Sequence, residues 1–101
     1  MRSIALYRPV EVESDYVGTT TSWEPYEARA GLQTAKTQRL IAEYGERVSN
    51  MLRLYMDGGT DIQIGYGALS MCDGGPEYIV IDVPREKYAY GTVAIVEKVR
   101  P

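Results

Sequence analysis

The clearest alternation of apolar and polar positions lies in the second half of the chain. Glu77-Tyr78-Ile79-Val80-Ile81-Asp82-Val83 reads as a strand. The run from Tyr88 to Val99 reads as another, with Thr92, Ala94, Val96 and Lys98 on one side and Val93, Ile95 and Val99 on the other. Ile62 and Ile64 alternate with Asp61 and Gln63, a shorter strand that Gly65-Tyr66-Gly67 breaks. Turn residues separate these runs at Asp57-Gly58-Gly59-Thr60, Asp73-Gly74-Gly75-Pro76 and Pro84-Arg85-Glu86-Lys87. At the start of the chain Ile4, Leu6, Val10 and Val12 alternate with polar residues in an opening strand interrupted near Pro9. Residues 14–23, Ser-Asp-Tyr-Val-Gly-Thr-Thr-Thr-Ser-Trp, are polar and β-branched around one glycine and read as a long, flexible hairpin loop. Beyond Tyr26, Ala28 and Ala30 alternate with Glu27 and Arg29, a weak strand signal.

The middle supports two readings. Ile41, Tyr44, Val48, Leu52 and Tyr55 recur at spacings of three and four with Gly58 behind them, which marks residues 32–57 as an amphipathic helix. Gly45 in the interior, with Thr34 and Thr37, weakens that helix by about 0.5–1 kcal/mol each at most. The alternative is two strands, 28–42 and 48–56, turning at Glu43-Tyr44-Gly45-Glu46, with Leu52, Leu54 and Met56 on one face and Arg53 and Tyr55 on the other. Periodicity alone leans to the helix. Short strands punctuated by turns predict a mainly β fold: a small single-domain antiparallel barrel or sandwich, residues 1–101, with a long N-terminal hairpin loop. A chain of 101 residues suits one such domain.

Composition narrows the chemistry. There is no His, which removes imidazole ligands, triads and His proton shuttles. One Cys can make neither an internal disulfide nor a thiolate metal centre by itself, and it fits a reducing compartment. The net charge of −3 is the reverse of the basic footprint of a nucleic-acid binder. The longest early apolar run is Ile4-Ala5-Leu6, too short for a signal-peptide core, and no stretch approaches a membrane span, so a soluble protein made inside the cell is expected. All ring area comes from nine Tyr and one Trp, amphipathic rings suited to half-buried sheet faces and interfaces.

Motifs add little catalytic content. Gly65-Tyr66-Gly67-Ala68-Leu69-Ser70 opens like a dinucleotide fingerprint but carries Ser where the third glycine belongs, and a pair of turn glycines explains it better. No Gly-Lys-Ser/Thr marks a P-loop. Asp57, Asp61, Asp73 and Glu77 border the glycine-rich turns without the spacing of a calcium loop. Glu11, Glu13 and Asp15 fall on one face if the first strand continues, an exposed acidic strand end. Cys72 has an acidic neighbour and nothing to lower its pKa, so it reads as a small residue at a strand end. No catalytic, cofactor-binding or metal-binding residue is therefore assigned, and no cofactor is expected. Trp23 stands apart, with Tyr16 and Thr20 in the same loop. It either anchors a partner or folds back over the barrel mouth, and these three residues are the candidate interaction loop.

The order of elements carries a resemblance. The stretch from Leu32-Gln33-Thr34-Ala35-Lys36 through Gly45-Glu46-Arg47-Val48 to Leu54-Tyr55 is followed by Asp61-Ile62-Gln63-Ile64-Gly65, a glycine-rich turn, Tyr78-Ile79-Val80-Ile81-Asp82-Val83 and a last strand. This resembles the head-closure, or head–tail stopper, proteins of long-tailed bacteriophages and the related small minor capsid proteins of prophages. The likeness spans most of the chain through diffuse motifs. It departs where Gly65-Tyr66 replaces a Gly-Asp step and where no His lies near Tyr88, which leaves room for a related connector or tail-terminator protein. The resemblance implies a β-barrel that joins portal, adaptor and tail proteins, self-associates in a ring, and passes DNA without binding it specifically. It implies a place in the virion and no membrane, makes loop 14–23 the element that reaches neighbours or the channel, and favours strands over a helix in the middle. The rival reading is a small acidic phage-encoded binding or inhibitor protein, which needs Glu11, Glu13, Asp15, Glu24 and Glu27 on one face. An enzyme would need a pocket holding a strongly shifted acid.

Overall fold

A computed structural model describes residues 2–14, 18–72, 74–84 and 91–99. Its six strands are β1 (Arg2–Ser14), β2 (Gly18–Thr34), β3 (Met51–Asp57), β4 (Gly67–Cys72), β5 (Gly75–Asp82) and β6 (Gly91–Lys98). All neighbours are antiparallel, and the sheet closes into a barrel in the order β1-β2-β3-β6-β5-β4. The chain thus forms two three-stranded meanders, β1-β2-β3 and β4-β5-β6, joined through β3–β6 and a two-residue β1–β4 seam at Leu6↔Ala68 and Tyr7↔Gly67. Closure removes most free edges from the barrel body.

Period-two alternation decides what faces inward. Ile4 and Leu6 of β1, Ala30 of β2, Leu54 and Met56 of β3, Ala68 of β4, Val80 of β5 and Ala94 and Val96 of β6 form the barrel core. The sidedness expected for Leu52, Leu54 and Met56 against Arg53 and Tyr55 is the one found. So is the sidedness of the last strand, although residues 85–90 lie outside the described set.

The middle of the chain divides between the two readings. β2 runs to Thr34, a short helix α1 spans Gln38–Tyr44, a 3-10 turn spans Gly45–Asn50, and β3 begins at Met51. Neither a helix over 32–57 nor a strand over 28–42 is correct. Thr37 caps α1, its hydroxyl accepting from the Leu40 amide at 3.3 Å. Gly45, at φ +63°, closes it with its amide on the Ile41 carbonyl, so the glycine that weakened the long helix is the stop of a short one. Leu40 and Val48 pack with Ala35, Met51 and Ile95 into a second cluster on the outer wall of the barrel. Arg47 fastens the 3-10 turn to β6 through two hydrogen bonds to Glu97, at 2.7 and 2.9 Å.

Residues 58–66 carry the chain from β3 to β4 across one end of the barrel. The strand expected around Ile62 and Ile64 does not form. Ile62 plugs the core while Ile64 is 67% exposed. The turn at residues 57–60 forms as expected, with the Thr60 hydroxyl donating to the Asp57 carbonyl at 2.7 Å.

Candidate functional site: a projecting hairpin arm

The expected flexible loop at 14–23 is largely a strand. β1 and β2 stay paired without a register shift from Arg2↔Ala30 to Ser14↔Gly18. Only residues 15–17 lie between them, and Tyr16 falls outside the described residues. Pairing to the rest of the barrel stops much earlier, at Tyr7 on β1 and at Ala30 on β2. Past Tyr7 the hairpin runs on as a two-stranded arm whose outer edges are unpaired among the described residues. Seven residues of β1 beyond Tyr7 give the arm a length of about 23 Å at the usual rise per strand residue. The molecule is accordingly elongated, 47 × 30 × 22 Å.

Two prolines mark the base. Pro25 pairs with Tyr7, and Pro9 pairs with Trp23. Both fall in the same parity of the ladder. A proline has no N–H to give, so that parity is the one whose amides point away from the partner strand. The amide of Tyr7 points the same way, towards β4, and Pro9 is the next outward position on that edge. Pairing with β4 therefore cannot continue beyond the barrel, and each edge is blocked at the base while the distal edges stay open.

An ionic and aromatic brace fixes the arm to the crossing loop. Arg8 Nε donates to Asp61 Oδ2 at 2.9 Å, and Arg8 Nη1 lies 3.9 Å from Glu24 Oε1. The guanidinium stacks 4.1 Å from the Tyr26 ring centroid. The Tyr26 hydroxyl donates to the Asp61 carbonyl, and its ring meets Tyr66 edge-on at 6.5 Å. Burial, aided by the nearby Asp61 carboxylate, pushes the Tyr26 phenol up to about 12. Nothing in the sequence alone marks Arg8 and Tyr26 as a pair. The signal available was Arg8 on the parity of Ile4 and Leu6, a charge on the core-facing side of a strand.

The arm has two faces. On the continuation of the core-facing side stand Val10 and Val12, 39% and 47% exposed, opposite Ser22 and Thr20. The Thr20 hydroxyl donates weakly to the Val12 carbonyl at 3.4 Å. The outer face carries Pro9, Glu11 and Glu13 of β1 with Thr21 and half-buried Trp23 of β2. Trp23 is thus set across from Pro9 on the arm, clear of the barrel-core residues. The structure places Thr20 and Trp23 on opposite faces of one ribbon.

Three of the four described acids of the hairpin share one face, and the fourth does not. Glu11, Glu13 and Glu27 share the outer parity, Glu24 takes the inner one beside Arg8, and Asp15 lies outside the described residues. Among the described residues, the two carboxylates with clear shifts both sit below the usual range. Glu77 is lowered by the Ser70 hydroxyl and Lys98, and Glu97 by Arg47. Among the described residues no three His, Cys, Asp or Glu side chains cluster as a metal site. No helix among them is long and apolar enough to cross a membrane. Comparison with protein-family models, with curated proteins and with solved structures finds no match for this chain.

Proposed function

We propose that this chain is a virion structural protein of a tailed phage or prophage, a head–tail connector subunit that acts by assembly and carries out no catalysis. Copies ring the underside of the portal and adaptor, seal the DNA-filled head and receive the tail. One observation supports the reading most directly: a small closed barrel extends a braced hairpin arm far beyond its own core. An isolated two-stranded hairpin is marginal in water. An arm carrying exposed Val10, Val12 and a half-buried Trp gains most when a neighbour covers it.

The charge supports the same reading. A conduit should let DNA slide, and each phosphate neutralised by Lys or Arg adds salt-sensitive affinity. A subunit of net charge −3, repeated around a ring, lines a passage with a field that repels a duplex. The test is co-purification with a phage portal–adaptor complex, followed by electron microscopy. A ring of this protein beneath the adaptor is the expected result. Absence of binding, or absence of the protein from purified virions, would refute the proposal.

A further inference from the structure

The two open edges of the arm differ. Residues on the parity of Pro9 and Pro25 direct their amides away from the hairpin partner. On β1 that leaves Glu11 and Glu13 to pair with a further strand, two acids behind a proline. On β2 it leaves Thr19, Thr21 and Trp23, three successive positions in an uncharged run from Gly18 to Trp23. Prolines and charges are what keep a sheet edge from accepting another strand. The β1 edge carries both, and the β2 edge has neither between Gly18 and Trp23.

A two-stranded ribbon is marginal in water, whereas three or more strands with an apolar face can stand alone. The arm already has the apolar face, since Val10 and Val12 lie exposed on its inner side. What it lacks is a further strand.

We infer that the free chain pairs with a second copy through the Thr19–Trp23 edge, the two β2 strands running antiparallel about a two-fold axis at Thr21. Thr21 then faces Thr21 of the second copy, while Thr19 and Trp23 of each strand face Trp23 and Thr19 of the other. All these pairs are of the hydrogen-bonded kind, giving about six backbone bonds. On the inner face Thr20 meets Ser22 of the second copy, a favourable hydroxyl pair. The Thr20 hydroxyl is held only weakly by the Val12 carbonyl, at 3.4 Å. Gly18 of the second copy reaches Glu24, and Pro25, with no amide to give, ends the ladder beside it.

The edges themselves select this occupant. Two β1 edges brought together antiparallel set acid against acid, which is destabilising. A β1 edge against a β2 edge has two usable positions, where β2 against β2 has three. A two-fold contact closes on itself and builds no ring, so it belongs to the free chain, whose arms cover one another until assembly parts them. This dimer goes beyond the ring reading and does not depend on it.

The test is sedimentation of the full chain over a rising concentration series, which should show a monomer–dimer equilibrium. Thr21→Pro falls on the parity of Pro9 and Pro25, so it removes no bond to β1. It should weaken dimerisation by about tenfold or more, through loss of the central pair of bonds. Glu11→Pro, on the same parity of the β1 edge, should leave the dimer unchanged. In a Cys72→Ser background, Thr21→Cys should cross-link to itself on mild oxidation, because hydrogen-bonded antiparallel pairs hold their Cα atoms about 5.5 Å apart. Ser22→Cys, which faces Thr20, should not. A wild-type chain that stays monomeric up to about 1 mM, where even a weak contact shows, would overturn the pairing. So would a dimer that survives Thr21→Pro, a dimer lost with Glu11→Pro, or cross-linking at 22 in preference to 21. Capture of a portal or adaptor segment at this edge with no self-pairing would overturn it as well. None of these results bears on the ring, which is read separately on the portal–adaptor complex.

Discussion

A methyl group at position 67 would sit 2.1 Å from Pro76 Cγ and 2.4 Å from its Cβ. Pro76 is fully buried, so it has little room to yield. Gly67→Ala should destabilise the barrel by about 1–3 kcal/mol, the usual cost of overpacking, and urea unfolding would measure it. The requirement was hidden in the sequence, where Gly65-Tyr66-Gly67 looked like an ordinary break; the need comes from a proline nine residues away. Tyr26 was equally invisible, because a brace made with Asp61 leaves no periodic trace. With its phenol raised to about 12, against about 10 in an unfolded chain, folding favours the protonated form. Its contribution is full below pH 10 and falls away as pH rises through 12. An alkaline absorbance titration should show a late-titrating phase, to which Tyr44, also raised by burial, contributes, and from which Tyr26→Phe removes the component near 12. Loss of amplitude at about pH 10 instead of in the late phase would contradict the burial of that hydroxyl.

At the scale of elements, legibility followed burial on one face. β5 and β6 alternate because one side meets the core, and their signal was plain. The arm has water on both faces, so Thr19-Thr20-Thr21-Ser22-Trp23 lacks the alternation that marks a half-buried strand and passed for a loop. Its β-branched and aromatic residues were the cue. The helical spacing from Ile41 to Tyr55 ended early because Gly45 could take a left-handed φ and hand the chain to β3. The attachment of that helical segment makes an acid-sensitive joint. Arg47 holds the Glu97 carboxyl below the usual range, as Ser70 and Lys98 hold Glu77. These carboxylates stabilise the fold fully above the unfolded value of about 4.3 and lose that effect as pH falls through their lower folded values. Glu97→Gln should cost about 1 kcal/mol at neutral pH, the upper range for an exposed but bidentate pair. It should also flatten the acid limb of a thermal-stability profile. An acid limb unchanged by the substitution would place the sensitivity elsewhere.

At the scale of the whole molecule, the barrel and the arm divide the work. The barrel supplies a core and a rigid mount, the two prolines stop the sheet from growing at the arm's base, and the Arg8–Asp61–Tyr26 brace sets the arm's angle. A chain with no His and one Cys offers contact surfaces more readily than catalytic groups, and Trp23 is legible in the sequence as a candidate anchor. In the proposed ring the arm is the assembling element. Arg8 and Glu24 face each other across the ladder, so residues 9–23 can be replaced by a two-residue Asn-Gly turn. The most direct measurement is electron microscopy of portal–adaptor complexes mixed with the full chain or with this shortened one. A ring is expected with the full chain and none with the shortened chain, whose thermal unfolding stays cooperative. A shortened chain that still forms the ring would contradict it.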